Sequence, residues 1–85
     1  MDKRDRFAVN LRRARDRAGI SQEELAERIE VHRTEISLLE RGGREPRLGT
    51  MVKLAVALGT TPEVLCSGIA WDPQARDYRI ETPPQ

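Results

Sequence analysis

Apolar residues recur along the first part of the chain at the three- and four-residue spacing of amphipathic helices. This spacing predicts a first helix over about residues 3–18, which Gly19 follows. Glycine readily takes the left-handed conformation with which many helices end, so Gly19 is well placed to stop this one. One face of the predicted helix carries the apolar residues Phe7, Leu11, Ala14 and Ala18.

Two shorter helices are predicted next. The run Ser21-Gln22-Glu23-Glu24 is typical of a capping box, in which the Ser21 side chain caps the N–H of Glu24 and the Glu24 carboxylate reaches back. The helix that it opens covers about residues 22–29, and a third helix covers residues 32–41, with Gly42-Gly43 as its stop. Their inward residues are expected to be Leu25, Ala26, Ile29, Val31, Ile36 and Leu39.

Helical spacing returns after a basic loop at residues 44–47 and continues over residues 48–58, which Gly59 closes. Thr61 as the cap and Pro62 at the first helical position then start a brief last helix that ends near residues 67–68. Cys66 is expected to be a small buried residue of that helix, without a redox role. The inward residues of the fourth helix are predicted to be Leu48, Met51, Leu54, Ala55 and Leu58.

The tail from Ile69 onward has a different character. Residues 69–71 and 78–80 are short β-favouring runs that flank six turn-prone residues. They form either a hairpin or an extended arm that ends in Pro83-Pro84, and an isolated hairpin is marginal in water unless it docks on other structure. We therefore predict a domain over residues 1–68 and a C-terminal extension over residues 69–85.

Composition narrows the classes of protein. The chain has 85 residues, enough for one small domain, and its single Cys and single His exclude an internal disulfide and a zinc site. No apolar run is long enough to cross a bilayer, and the N-terminus lacks the apolar core of a signal peptide. We expect a reduced, soluble, cytoplasmic protein without metal or cofactor. One His, one Cys and no glycine-rich phosphate loop leave no residues for a catalytic site, so no enzyme is predicted.

The formal net charge of +1 conceals an asymmetry along the chain. Residues 1–17 carry seven basic and three acidic residues, a balance of +4, whereas residues 21–30 carry one basic and four acidic residues, a balance of −3. Local fields rather than the total decide binding, so an anionic partner is compatible with this composition.

The second and third predicted helices, about residues 22–41, have the lengths and the tight break of a helix-turn-helix. Such helices cross closely, which requires a small residue in the first of them, and Ala26 supplies it. The second helix must leave its N-terminal turn bare to enter a major groove, and the residues there are polar.

Three runs occur together at a fixed spacing: Ser-Gln-x-x-Leu-Ala from Ser21, Ile-Ser-x-x-Glu-Arg-Gly from Ile36, and Leu-Ala-x-Ala-Leu-Gly from Leu54. With them the chain resembles the phage-repressor (Cro/cI-like, XRE) helix-turn-helix family over about residues 6–67. The resemblance implies an all-α, five-helix lambda-repressor-like domain, to which the tail adds a short arm or β-hairpin.

The resemblance also implies roles for individual residues. Residues that match base-reading positions are His32, Arg33, Thr34, Ser37 and Leu38, of which Leu38 suits a thymine methyl group. Residues that match phosphate-contacting positions are Gln22, Arg41 and Arg44, and Gln22 is also expected to buttress the recognition helix. Arg15 and Glu40 match an ion pair that ties the first helix to the recognition helix.

Several residues keep two interpretations. His32 either caps its helix or contacts DNA, and Arg12 and Arg13 either lie on a solvated face or contact phosphate. Glu35 either points away from the DNA backbone, which we favour, or accepts a hydrogen bond from a cytosine amine. Glu30 stands where the family often has glycine, which leaves the conformation of the turn open.

The leading hypothesis is a transcriptional regulator, such as a repressor, that binds double-stranded operator DNA as a homodimer. Trp71 and Tyr78 form either a clasp over the helices or, as we favour, anchors at a dimer or partner interface. The alternative is an antitoxin whose tail grips a protein partner and whose DNA binding is autoregulatory. A controller of a restriction–modification system is a third role with the same chemistry.

Overall fold

A computed structural model describes residues 1–81 and shows five helices followed by a two-stranded hairpin. The elements are α1 (Lys3–Ala18), α2 (Gln22–Ile29), α3 (Arg33–Glu40), α4 (Leu48–Ala57), α5 (Pro62–Leu65), β1 (Ile69–Asp72) and β2 (Asp77–Ile80). The five-helix prediction is confirmed, while the domain division at residue 68 stays a prediction. Pro83-Pro84, at which an extended arm would end, lie outside the described residues.

Four of the five helices within residues 1–81 begin at side-chain caps, and α4 does not; one of the caps differs from its prediction. Ser21 Oγ accepts the Glu24 N–H at 3.0 Å, but the Glu24 carboxylate does not complete a capping box, since it accepts from Arg28 Nη2 at 2.7 Å. The complete capping box is at α1, where the side chains of Asp2 and Asp5 each accept the other's backbone N–H. Its hydrogen bonds to backbone N–H groups lower the pKa of Asp2.

The turn between α2 and α3 depends on an unusual backbone conformation at Glu30. This residue has φ 60° and ψ 44°, the left-handed conformation that glycine adopts most readily. The Val31 N–H donates to the Ala26 carbonyl at 3.0 Å and the Glu30 N–H donates to the Glu27 carbonyl at 3.3 Å, which is the Schellman pattern. The helix-turn-helix therefore forms without glycine, and these hydrogen bonds hold the strained residue in place.

All five helices contribute to one hydrophobic core, whose fully buried members are Leu11, Leu25, Ile36, Leu39, Leu54 and Leu65. Two predicted core residues are wrong. Leu48 is 82% exposed because it lies in the first turn of α4 and about 70° around the helix from the centre of its buried face. Cys66 is exposed because it follows the last residue of α5 and has left the buried face that Leu65 occupies.

The tail forms the hairpin rather than the extended arm over the described residues. Trp71 pairs with Tyr78 across the antiparallel strands, and their rings meet edge to face with centroids 5.2 Å apart. The Lys3 Nζ of α1 lies 4.7 Å from the centre of the Tyr78 ring, and Ile69 packs against the core. The hairpin is thus docked on α1. No helix within residues 1–81 has the length and apolarity to cross a membrane.

The strained turn at Glu30 gives a test of this geometry. Glu30→Gly should raise the free energy of unfolding by up to about 1 kcal/mol, because relief of the left-handed strain outweighs the added freedom of the unfolded chain. The matched variant Glu27→Gly, in the regular part of α2, should lower it by about 1 kcal/mol. Urea unfolding followed by circular dichroism measures both, and equal losses in the two variants would contradict the assigned turn.

Candidate nucleic-acid interface

The N-terminal turn of α3 presents an exposed polar edge. His32, Arg33 and Thr34 are exposed, while Ser37 and Leu38, one turn further, are half-buried. Successive helical residues are rotated by about 100°, which directs Thr34, Ser37 and Leu38 away from the buried side of the helix and puts Arg33 at its margin. His32 is the extended N-cap residue just before the helix. The structure thus brings the five predicted base-reading residues together on one accessible edge.

His32 caps α3, and its ring keeps a free position for other contacts. Its backbone is extended, and its Nδ1 accepts the Thr34 N–H at 3.1 Å. Because Nδ1 supplies a lone pair, the neutral ring carries its proton on Nε2. The two interpretations of His32 are therefore compatible, since the Nε2–H remains available as a donor.

The buried carboxylate of Glu40 joins three helices at the far end of α3. Arg15 Nε of α1 donates to Glu40 Oε2 at 2.6 Å, and Arg15 Nη2 donates to Glu40 Oε1 at 3.0 Å. Gln22 Nε2 of α2 donates to the same Oε1 at 3.1 Å. The side chain of Glu40 is only 3% exposed, and its carboxylate raises the pKa of the Arg15 guanidinium. This cluster fixes α3 against the two helices before it.

Gln22 is positioned by this cluster rather than left free. One of its amide hydrogens is used by Glu40, whereas the second hydrogen and the carbonyl oxygen have no assigned role there. Because Gln22 is half-buried at the first position of α2, it buttresses α3 while keeping polar atoms for a second contact.

Glu35 and Arg44 neutralise each other beside the exposed edge. The Arg44 Nη1 donates to Glu35 Oε1, which links α3 to the loop that follows it. The Glu35 carboxylate is directed to that loop, where Arg44 matches its charge. That Glu35 points away from the DNA backbone stays a prediction. Arg44 is half-exposed, with donors left over, so the ion pair holds its guanidinium near α3 without consuming it.

Other arginines near α3 form no ion pair with a carboxylate within residues 1–81. Arg41 Nε donates to the Ser37 carbonyl at 3.2 Å, and neither Arg41 nor Arg33 forms an ion pair within residues 1–81. Arg12 Nη1 donates to the Glu40 carbonyl at 2.6 Å and so caps the C-terminal end of α3. Arg13 lies elsewhere, in a groove beside α4 and α5.

Sequence reasoning missed Arg6 and Asn10, which are buried and hold α1 to the end of α5. Asn10 Nδ2 donates to the carbonyls of Leu65 at 3.0 Å and Ser67 at 2.8 Å, and Arg6 Nε donates to the Ser67 carbonyl at 3.1 Å. The available signal was that Arg6 directly precedes Phe7 and Asn10 directly precedes Leu11, next to the buried face of α1.

Trp71 and Tyr78 form a second exposed surface, on the hairpin. Their side chains are about half exposed, at 53% and 50%. Lys3 contacts Tyr78 and also pairs with Glu45 of the loop after α3, its Nζ 3.3 Å from Glu45 Oε2. Through Lys3 the aromatic pair is therefore linked to the loop that follows α3.

Comparison with known proteins places this arrangement in context. A helix-turn-helix family model matches residues 11–65. The control protein C.SmaI of Serratia marcescens is 42% identical over 66 residues, which are 76% of this chain and 79% of that protein. The control protein C.BamHI of Bacillus amyloliquefaciens is 40% identical over 60 residues, 69% of this chain and 74% of that protein.

Solved structures show the same similarity. The restriction-modification controller protein C.AhdI from Aeromonas hydrophila superposes with a TM-score of 0.70 at 37% identity, covering 73% of this chain and 94% of that one. A hypothetical transcription factor, NHTF, from Neisseria superposes with a TM-score of 0.73 at 37% identity, covering 88% of this chain and 82% of that one.

Loss of the buried Glu40 carboxylate should cost much more stability than loss of an exposed carboxylate. Glu40→Gln should lower the free energy of unfolding by about 2–4 kcal/mol, because the largely buried Arg15 is left with only the exposed Asp16 carboxylate, 4.0 Å away, as its counter-charge. Glu24→Gln is the matched control, since Glu24 accepts from Arg28 at a similar distance of 2.7 Å on the exposed surface, and should cost less than about 0.5 kcal/mol. Urea unfolding measures both; similar losses would show that Glu40 does not anchor α3.

Proposed function

The chain belongs to the helix-turn-helix family of DNA-binding transcriptional regulators, and from that premise we propose that it reads operator DNA with α3 in the major groove. The observation that carries the proposal is the exposed N-terminal turn of α3, which the Glu40 cluster holds at a fixed orientation from its opposite end. A rigidly held helix with a free polar turn suits insertion into a groove that admits one α-helix.

We assign base contacts to the exposed edge of α3. Arg33 forms no ion pair within the described residues, so its planar fork of donors is free to pair with guanine O6 and N7. Leu38, half-buried one turn further, offers apolar contact to a thymine methyl group. Three polar residues complete the proposed base-reading set: His32, Thr34 and Ser37.

We assign phosphate contacts to residues that flank this edge. Arg44 is held beside α3 by Glu35 and keeps unused N–H donors. Arg41 uses its Nε for the Ser37 carbonyl, which leaves its two terminal guanidinium nitrogens as donors. Gln22 keeps a second amide hydrogen at the N-terminus of α2, where backbone N–H groups also favour an anion. Such contacts set the register of the protein on DNA but carry no sequence information.

We further propose a homodimer, because one small domain supplies only one recognition helix and paired half-sites about 34 Å apart increase affinity. The exposed Trp71–Tyr78 pair supports an interface on the hairpin, since aromatic side chains dominate protein interfaces. A second apolar stripe, on α4, competes for this role: Val52 is 48% exposed and Val56 is 78% exposed.

The biological role that we propose is control of gene expression, because two of the matched proteins are named control proteins. A controller of a restriction–modification system fits the names of C.SmaI, C.BamHI and C.AhdI. We propose no catalytic activity, and a DNA-bound regulator is expected in the cytoplasm with the chromosome. An antitoxin would use the same hairpin for a protein partner, and no observation here favours it.

Two arginine variants separate base reading from phosphate binding. Arg33→Ala should cost about 1–3 kcal/mol and relax the preference at one base pair, because only base contacts discriminate sequence. Arg44→Ala should weaken all duplexes alike and lower the slope of log affinity against log salt by about 1. Selection from random duplexes, followed by titrations at several salt concentrations, measures both effects. Uniform weakening by Arg33→Ala would remove it from base reading.

The dimer interface is tested by two matched pairs of substitutions. Replacing Trp71 and Tyr78 with alanine should weaken dimerisation at least about tenfold, as expected for loss of aromatic anchors. Replacing Val52 and Val56 with serine is the control and should leave the dimer intact. Sedimentation velocity over a range of concentrations measures each dissociation constant. A dimer that survives the hairpin substitutions but dissociates on the α4 substitutions would place the interface on α4.

A further inference from the structure

A groove between α1 and the α4–α5 segment contains three arginines and no acidic residue. Its volume is about 360 Å³, and Arg6, Arg13 and Arg17 line it together with Thr60 and Ser67. This volume is at the lower end of the range of small-molecule sites, about 300–1,000 Å³. The groove therefore combines a positive charge with a volume suited to a small ligand.

The three arginines lie along one line of α1, at the spacing i, i+7 and i+11. With about 100° of rotation per residue they fall within roughly 40° of one another, whereas Arg15 lies on nearly the opposite side of the helix. Arg15 faces α3 through Glu40. The groove is thus separate from the cluster that positions the recognition helix.

These arginines lack the counter-charges that structural arginines have elsewhere in the chain. Within residues 1–81, no ion pair forms at Arg6, Arg13 or Arg17, while Arg15, Arg28 and Arg44 each pair with a glutamate. A cluster of like charges without partners is unfavourable unless an anion or solvent screens it.

Arg6 provides an independent observation. The residue is only 8% exposed, and although its Nε donates to the Ser67 carbonyl, its Nη2 is buried without a hydrogen-bond partner. A buried guanidinium is costly unless it is paired and fully hydrogen-bonded. The groove thus includes a buried cation whose hydrogen bonding is incomplete.

We propose that this groove binds a small oxyanion, of the phosphate or carboxylate class. Arginine is suited to such ligands because its planar fork of donors matches both groups with two parallel hydrogen bonds. Arg13 and Arg17 supply exposed donors, Arg6 supplies buried positive charge, and the Thr60 hydroxyl is a further donor. The ligand is distinct from DNA in size and in the surface that it occupies.

The position of the groove links its occupancy to the C-terminal hairpin. Arg6 and Asn10 both donate to the Ser67 carbonyl, and β1 begins two residues later at Ile69. Gly68 packs directly on the Arg6 side chain, because a Cβ there would lie 2.6 Å from Arg6 Nη2. An anion in the groove would offset the positive charge of Arg6 and would therefore stabilise the segment that leads into the hairpin.

The test is thermal unfolding of the full chain in inorganic phosphate, compared with sodium chloride at matched ionic strength. At phosphate about ten times its dissociation constant, Tm should rise by roughly 5–10 °C over the chloride reference. The double variant Arg13→Gln/Arg17→Gln should lose this rise, and circular dichroism before heating establishes that it is folded. Citrate in place of phosphate shows whether carboxylates are preferred.

Two control variants exclude other phosphate sites. Arg33→Gln on the exposed edge of α3 and Arg76→Gln in the hairpin turn should both retain the rise in Tm. The proposal is overturned if neither anion exceeds chloride, if the rise survives Arg13→Gln/Arg17→Gln, or if it disappears in Arg33→Gln. In that last case phosphate would be binding at the DNA-reading surface instead.

Discussion

The burial of one carboxylate, that of Glu40, sets the geometry on which the rest of the molecule depends. A carboxylate that is 3% exposed must be matched by charge and hydrogen bonds, and these come from Arg15 of α1 and Gln22 of α2. Arg12 also donates to the backbone carbonyl of Glu40. Because α3 is held through both main chain and side chain at its C-terminal end, the exposed side chains of its N-terminal turn are not needed to fix the orientation of the helix.

Most of the fold was predictable because its local signals agree with its packing. The Ser21 and Thr61 caps and the left-handed Gly19 stand where the structure has them. The errors come from competition that spacing does not reveal. The Glu24 carboxylate could accept a hydrogen bond from the Ser21 backbone N–H or from Arg28 one turn later, and in the structure it accepts from Arg28. Leu48 repeats at helical spacing but lies at the margin of the buried face.

The candidate site was predictable to a different extent. Helical spacing and family resemblance were enough to identify the exposed edge of α3, because an edge follows from local periodicity. The contacts that position it were only partly accessible, since Glu35 reaches Arg44 across nine residues and a loop. Arg6 and Asn10 reach carbonyls more than fifty residues away, at the end of α5. Such pairings depend on where the chain returns, which single-sequence patterns do not encode.

The near-neutral total charge now has a structural explanation. Carboxylates neutralise several of the arginines, such as Arg15 beside the buried Glu40 and Arg28 beside the exposed Glu24. Arginines without such partners are concentrated on two surfaces, the edge of α3 and the groove along α1. Unpaired cations repel one another and attract anions over a distance set by ionic strength. A small chain with a net charge of +1 can thus present two positive surfaces, because several of its acidic residues form ion pairs with other basic side chains.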